Sequence, residues 1–474
     1  MEPSSLSSSS AIATLGVTAF AAYLAIRAYR RSTGTNAENG AANLPWNLPL
    51  IGHTFQNIEY ERIASVGGER EMVNVSILGM DMLSVWSQED VKHAFTKALT
   101  HWGTSWPSRW VDLQGQASLA VVDDPAQHKR LRLLIGQAIS KGNLDAAFPF
   151  LLQSAETTVA NMVADATVKE NVTVLPYSRE FTFAAIVSFF FGSRQEDVAR
   201  MLVHLHNFEL WTQGMMDFLL PVWIGGPFAR AMVARQSILD TIVQIIQERK
   251  EKEQGGDKTD GLAALIGQLE DFEIGDSFIT LLFAGYDTTS SAISTAMHAW
   301  TFELDASEKE LLSKEISAAN ITDATSLTNL PVLDAFCKEV LRWKSPIPGV
   351  FRKAKTDCVL HSGNIVREGS LVNIPFIAMF DNPNGFPEPR KFKLARFLNP
   401  SLEDRNAQSY RYVPFGAGPR QCIGMSLARL EMKVFLVLLL KNYRLLPTGK
   451  PSALQALPIQ CMKPYVQFEK IREE

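Results

Sequence analysis

A single cysteine, Cys422, lies in the run Phe415-Gly-Ala-Gly-Pro-Arg-Gln-Cys-Ile-Gly424, among glycines at 416, 418 and 424 and two residues after Arg420. Glycine lets a backbone turn tightly and approach a flat ligand closely. An apolar helical pattern starts at once, at Ile423, Leu427, Leu430, Val434, Phe435, Val437 and Leu438. A cysteine at a helix start feels the positive end of the macrodipole, which favours the thiolate. A thiolate so placed suits haem iron, where a Cys axial ligand pushes electron density toward O–O cleavage. Backbone N–H groups of the loop are then placed to tune the sulfur. The competing reading is a buried structural cysteine before a helix.

Two further groupings carry chemistry. Ala284-Gly-Tyr-Asp-Thr-Thr289 falls inside a long apolar segment, Phe278–Trp300, that reads as a helix. An acid followed by hydroxyls beside a glycine weakens an ideal helix, because threonine bonds back to its own carbonyls. Asp287 with Thr288 can relay protons through water, and the small Ala284 and Gly285 leave space for O₂; the alternative is an incidental polar spot. Pro125, after Asp123-Asp124, marks the first position of another helix. His128 and Arg132 share a face of it, four apart. Two cationic donors on one face can hold a carboxylate pair, and haem has two propionates; a solvated basic face is the alternative.

These groups need a largely helical frame. Helical periodicity dominates residues 143–268, over Ala147–Asp165, Arg179–Phe191, Asp197–Gln213 and Pro227–Glu251. His204 and His206 are two apart and so face different ways, as surface or core residues rather than ligands. Val332–Trp343 is a further helix, with Glu339 and Arg342 three apart on one face. Glu89–Leu99 reads as a short helix. Met72–Ser87 alternates around Gly79 as a hairpin, and Lys353–Asn373 is strand-like. Ser105–Ala120 has no strong period, 398–414 is an irregular meander, and Tyr443–Phe468 forms a last small sheet. The apolar run Phe218–Trp223 is expected to line a substrate entrance or dip into a membrane; an ordinary buried connection is the alternative.

The chain has 474 residues, 46% hydrophobic and 20% charged, with a net charge of −4. That is an ordinary globular composition with no nucleic-acid footprint. Cysteines at 337, 358, 422 and 461 make no C-x-x-C pair, which fits a reducing compartment and no zinc site. Ala11–Ile26 is uncharged and spans about 24 Å as a helix, short of a bilayer core unless extended to Tyr29 with Arg27 snorkelling. Arg27, Arg30 and Arg31 follow it and no Lys or Arg precedes it, which puts the bulk of the chain on the cytosolic side. Residues 1–31 are therefore expected to be an N-terminal membrane-anchor helix, 32–43 a linker and 44–474 the catalytic domain. A Ser-rich, acid-poor plastid transit peptide is the rival reading; a signal peptide lacks its basic n-region.

Phe415, Gly418, Arg420, Cys422 and Gly424 match F-x-x-G-x-R-x-C-x-G, so the chain resembles the cytochrome P450 family of haem-thiolate monooxygenases. The string at 284–289 is similar to that family's oxygen-activation motif, and Glu339–Arg342 to its E-x-x-R pair, all in family order across about 44–468. The resemblance implies a mainly α fold with small β-sheets and a haem whose iron Cys422 ligates. It implies cofactor contacts from His128, Arg132, Arg352, Phe415 and Arg420, and catalytic roles for Asp287 and Thr288. Arg396 joins Glu339 and Arg342 in a structural triad that fixes the cysteine loop, although Ala395 stands where the family often has Glu. The 105–120 loop overlies the haem, and Leu44–Gly52 is the proline-rich hinge after the anchor. Electrons come from NADPH through a separate flavoprotein reductase docked near Lys129, Arg130 and Arg411. The product is a hydroxylated apolar molecule. Leu48–Gly52 with Thr54, Trp106-Pro107 and His128 look most like the branch acting on sterols, retinoids and plant isoprenoid hormones. An O₂-independent haem-thiolate isomerase or dehydratase is one alternative, which the intact acid–Thr pair and cysteine loop argue against. A non-enzymatic haem sensor or carrier is the other.

Overall fold

The computed structural model describes residues 41–44, 60–67, 71–77, 80–169, 172–192, 194–217, 225–252, 260–398, 410–456 and 459–471. The expected anchor, most of the linker, the hinge beyond Leu44, Phe218–Trp223 and most of the 398–414 meander lie outside the described residues. Among the described residues no helix is long and apolar enough to cross a membrane.

In chain order the elements are α1 (Tyr60–Gly67), β1 (Met72–Ile77), β2 (Met80–Val85), α2 (Gln88–Thr96) and β3 (Trp102–Thr104). Then come α3 (Ser108–Gln114), α4 (Pro125–Ala138), α5 (Lys141–Val168), β4 (Val172–Thr173), α6 (Val174–Phe191), α7 (Gln195–Leu202) and α8 (Leu205–Gly214). They are followed by α9 (Pro227–Lys252), α10 (Gly261–Leu265), α11 (Asp271–His298), α12 (Ala306–Ala318) and α13 (Pro331–Trp343). The chain continues with β5 (Val350–Ala354), β6 (Cys358–Val359), β7 (Ile365–Val366) and β8 (Leu371–Ile374). It closes with α14 (Met425–Asn442), β9 (Tyr443–Pro447), β10 (Ala453–Gln455), β11 (Cys461–Lys463) and β12 (Tyr465–Lys470).

These elements form two compact units, Met1–Ser105 with Gly349–Met379, and Trp106–Pro348 with Phe380–Glu474. The first holds a five-stranded sheet ordered β1-β2-β8-β5-β3. Its β1–β2 hairpin pairs Met72 with Val85 through to Ile77 with Met80, as the alternation around Gly79 predicts. The second unit is helical. Its centre is α11, which packs most heavily on α6 and also meets α9, α13, α14 and β11. Local chemistry sets the helix starts. Asp124 accepts the Gln127 N–H while Pro125 takes the first position of α4. Glu270 and Glu273 form a reciprocal capping box, so α11 begins at Asp271, seven residues before the apolar pattern suggests.

Three departures from the sequence reading have tertiary causes. The helix expected over Asp197–Gln213 is two, broken around His204. That imidazole is buried and bonded to Thr241 Oγ1 (2.9 Å) on α9 and to Asn207 (2.8 Å), whereas His206 is exposed. The Ser105–Ala120 stretch contains α3, whose terminal carbonyls are met by side chains of other helices. The last small sheet is a β10–β11 hairpin plus a three-stranded sheet β4-β12-β9, and β4 comes from far upstream.

The second unit is cross-braced by buried charge. Glu339, fully buried on α13, accepts Arg342 Nε (2.7 Å) and Nη2 (2.8 Å), Arg396 Nε (3.2 Å) and the Lys393 N–H (3.0 Å). Arg342 also donates to Phe380 O, and Arg396 to Pro387 O and Glu388 O. The expected triad thus assembles, and it fastens the irregular segment 387–396 to α13. Glu339→Ala leaves two buried guanidinium groups short of their acceptor, and urea denaturation should show a loss of about 3–5 kcal/mol; a loss under about 1 kcal/mol would mean the segment is held otherwise.

Glu431 is a second buried acid, on α14 against α11. It is 1% exposed, and its Oε1 has no partner among the described residues. Burial raises its pKa well above the usual carboxylate range, and a hydrogen bond from Thr289 offsets only part of that. The folded value exceeds the unfolded one, so unfolding releases a proton above about pH 4.3 and stability falls as pH rises. Glu431→Gln removes that penalty: its Tm advantage over the parent should grow from pH 5 to pH 8 in calorimetry. A difference independent of pH would show that no proton is held there.

Candidate active site

The loop before α14 is shaped by two left-handed glycines, Gly416 (φ 65°) and Gly418 (φ 68°). A β-carbon is disfavoured at both, which is why this turn needs glycine. Gly424 has an ordinary φ of −88° and serves as the N-cap of α14. The Cys422 N–H donates to Phe415 O at 2.8 Å and closes the loop on itself. The Phe415 ring in turn packs under the Arg429 guanidinium, 5.3 Å away. Cys422 is exposed, yet surrounding protein desolvates its thiol enough to push the pKa up. A bond from the Gly424 N–H and the Arg132 charge act the other way, toward thiolate.

Arg132, His128 and Arg420 gather around this loop. His128 is buried on α4, and its pKa is lowered to about 4 by burial and then by the Arg420 and Arg132 charges. At pH 7 it is neutral with the charges the protein itself supplies, which corrects the expectation of two cations. The arrangement is one cation and one neutral imidazole on the α4 face, with Arg420 added from the loop. Arg420 donates through Nη2 to Val122 O (2.6 Å) and Asp123 Oδ1 (2.7 Å). Its Nε is buried without a partner among the described residues. A soft sulfur, two guanidinium groups and an unsatisfied buried N–H form a donor set that fits a haem, whose iron and carboxylates need these types of group. Arg352 stands on β5 in the first unit, 93% buried, with its guanidinium 5.7 Å from the Phe95 ring.

The α11 motif divides between two faces. Asp287 is fully buried and paired to Arg179 of α6, from Nε (2.9 Å) and Nη2 (2.7 Å) to Oδ1. Its Oδ2 has no partner among the described residues. Burial still raises its pKa, with Arg179 opposing. Thr288 is half-buried and donates to Ala284 O at 2.7 Å, the back-bond anticipated for threonine. The two side chains are thus bonded to different partners, Arg179 and Ala284 O, and not to each other. Ala284 is exposed in the middle of a helix that is otherwise largely buried, and Leu281, Ala284, Gly285 and Thr288 make one open stripe at helical spacing. Gly285 serves packing as well: a β-carbon there would lie 3.0 Å from Ile186 of α6. The space expected at Ala284-Gly285 is thus supplied by Ala284, while Gly285 lets two helices approach.

Sequence reasoning passed over Arg179 and Glu431. Each is a charged residue on a helix that is mostly apolar, Val174–Phe191 and Met425–Asn442, and that contrast was the available signal. It named Arg130 among the basic docking candidates without seeing its partner. Its guanidinium instead holds Glu273 of α11, at 2.8 and 3.0 Å.

Comparison with known proteins agrees with this arrangement. The family model described as Cytochrome P450 matches residues 42–466. The chain is 30% identical over 373 residues to mouse cytochrome P450 3A13, covering 72% of each chain. It is 31% identical over 314 residues to tomato beta-amyrin 6-beta-monooxygenase, covering 61% of this chain and 64% of that protein. The solved structure of retinoic acid bound cyanobacterial CYP120A1 superposes with a TM-score of 0.78 at 24% identity, over 90% of this chain and 98% of that one. With the cysteine loop, the mainly helical fold and a family match across most of its length, this chain belongs to the cytochrome P450 family of oxidoreductases.

Proposed function

We propose that this P450 hydroxylates an apolar small molecule of isoprenoid character, with Cys422 as the residue that would ligate the iron of its haem and Thr288 as the hydroxyl that would hold a proton on the open stripe of α11. The observation that carries the reading is the sulfur itself: an accessible thiol in a glycine-turned loop, just before the N-terminus of an 18-residue helix. The haem, when bound, supplies activation of O₂ with two electrons and two protons. The chain's own residues do the rest. The Gly424 N–H and Arg132 favour charge on the sulfur. Arg132, His128 and Arg420 take the carboxylates, with Arg352 as a further candidate. The Thr288 hydroxyl, oriented by Ala284 O, holds a proton at Oγ1. Asp287 reaches that hydroxyl only through water, after its carboxylate turns from Arg179.

Substrate class rests on the named action of the tomato relative on beta-amyrin, a triterpene, together with the sterol-, retinoid- and isoprenoid-like features of the sequence. Electrons are proposed to come from NADPH through a flavoprotein reductase. Lys129, exposed on α4, and Arg411 remain its basic contacts, since Arg130 is engaged. An N-terminal membrane anchor with the catalytic part in the cytosol, on the endoplasmic reticulum or a plastid, belongs to the same proposal.

Cys422→Ala should abolish the thiolate signature in the reduced carbon-monoxide difference spectrum; a signature that survives would remove the axial assignment. Thr288→Ala should keep that spectrum while diverting electrons to peroxide, measured as peroxide formed per NADPH consumed. Coupling equal to the parent would end the proton-holding role. Turnover with the reductase should fall as salt rises from about 0.05 to 0.5 M, because exposed charge pairs are screened.

A further inference from the structure

Within the cysteine loop, the Cys422 N–H donates to Phe415 O at 2.8 Å, and the turn between them passes through the left-handed Gly416 and Gly418. That bond holds Cys422 only as firmly as Phe415 is itself held. The Phe415 side chain is half-buried and packs against the apolar core. Arg429 of α14 lies over it, with the guanidinium carbon 5.3 Å from the ring centre.

Arg429 differs from the other guanidinium groups near this loop. Arg420 donates to Val122 O and Asp123, and Arg342 and Arg396 donate to Glu339. Arg429 is half-buried, yet among the described residues it meets no carboxylate or carbonyl acceptor; what it meets is the Phe415 ring. Its charge is felt at Tyr412 and Cys337, where it opposes the rise in pKa that burial causes. At the Cys422 sulfur the acting cation is Arg132 instead. Any influence of Arg429 on the sulfur therefore passes through the ring and the loop backbone. We propose that Arg429 is a positioning residue for Cys422: by clamping the Phe415 ring it keeps the Gly424 N–H directed at the sulfur, and so sets how strongly that sulfur donates to a bound iron. This rests on the haem-thiolate reading of Cys422.

The contacts close a circuit. Cys422 N–H reaches Phe415 O, the Phe415 ring meets Arg429, and Arg429 returns through the start of α14 to Gly424 and Cys422. The guanidinium is held over the ring by attraction between its charge and the electron-rich aromatic face, and its stem covers apolar surface. An N–H donor withdraws electron density from a thiolate, and hydrogen bonds to sulfur ligands are one of the levers that set a metal's reduction potential. With the clamp loosened, the Gly424 N–H drifts from the sulfur and the sulfur donates more strongly, which makes a bound iron harder to reduce.

The test uses the full-length, haem-loaded protein with Arg429→Met, which keeps an apolar stem without the cation, Arg429→Gln as a second neutral variant, and Arg429→Lys. In a redox titration followed by haem absorbance, the one-electron reduction equilibrium of both neutral variants should fall about tenfold, a shift of about 59 mV to lower potential. Arg429→Lys places a cation near the ring without the stacking plane and should recover part of that shift. In hydrogen exchange, the amides of 422–424 should exchange severalfold faster in the neutral variants, with those of α11 unchanged. Neutral variants that keep the parent's potential would overturn the proposal, and so would faster exchange spread equally through α11, which is general loosening. A lysine variant shifted as far as the neutral ones would overturn the cation–ring clamp. Should the parent itself lack the thiolate signature in its carbon-monoxide spectrum, the haem-thiolate reading fails, and the exchange data still decide whether Arg429 clamps the loop.

Discussion

A sulfur that is to bind a metal at the bottom of a recess has to be held still without being sealed off. The loop at 415–424 meets that constraint with backbone alone: two left-handed glycines and one N–H···O bond from Cys422 to Phe415. Rigidity is imported from outside. Tyr412, three residues before Phe415, donates to Lys338 O on α13 at 2.9 Å and packs on Phe380 and Phe397. The same helix carries Glu339 and Arg342, so the triad and the tyrosine tie one strut to both the 387–396 segment and the approach to the cysteine.

The helix α11 resolves a second conflict. As the centre of the helical unit it has to be buried, and as a wall of a reaction space it has to be open. It does both by facing α6 with one side and leaving one stripe uncovered. The α6 contact is unusually polar for a core. Ser178 and Thr182 donate to Ser290 O (3.1 Å) and Tyr286 O (2.8 Å), and Arg179 holds Asp287. Two carbonyls flanking the Asp-Thr-Thr string thus accept a second donor from a neighbour, within a helix that runs unbroken from Asp271 to His298. Asp287 and Thr288 are adjacent in sequence but about 100° apart around the helix axis, which is why one is locked in the core while the other lies on the open stripe.

Charge in the interior is everywhere paired with a geometric job. Arg249 is wholly buried between Asp197 (2.7 Å) and Asp260 (2.9 Å) and joins α9 to α7 and to the start of α10. Such pairs seldom add much net stability, because desolvation cancels much of the attraction, but removing either partner is costly. They therefore specify which helix ends meet. Arg420 belongs to the same category on one side and differs on the other: Nη2 is bound to Val122 O and Asp123, whereas Nε has no partner among the described residues.

What could be read from the sequence was chemistry that is local in the chain. The thiolate loop, the acid–threonine string and the E-x-x-R pair are short patterns, and helix existence followed from apolar period and capping residues such as Asp124-Pro125. What could not be read depended on partners far away. His128 looked cationic until burial and two guanidinium groups made it neutral. Arg130 looked available until Glu273, 143 residues on, took it. Gly285 looked like room for a ligand until Ile186 closed on it. Only tertiary structure decided these, because desolvation, pairing and close approach are properties of the space around a side chain, and the sequence specifies the side chain but not its surroundings.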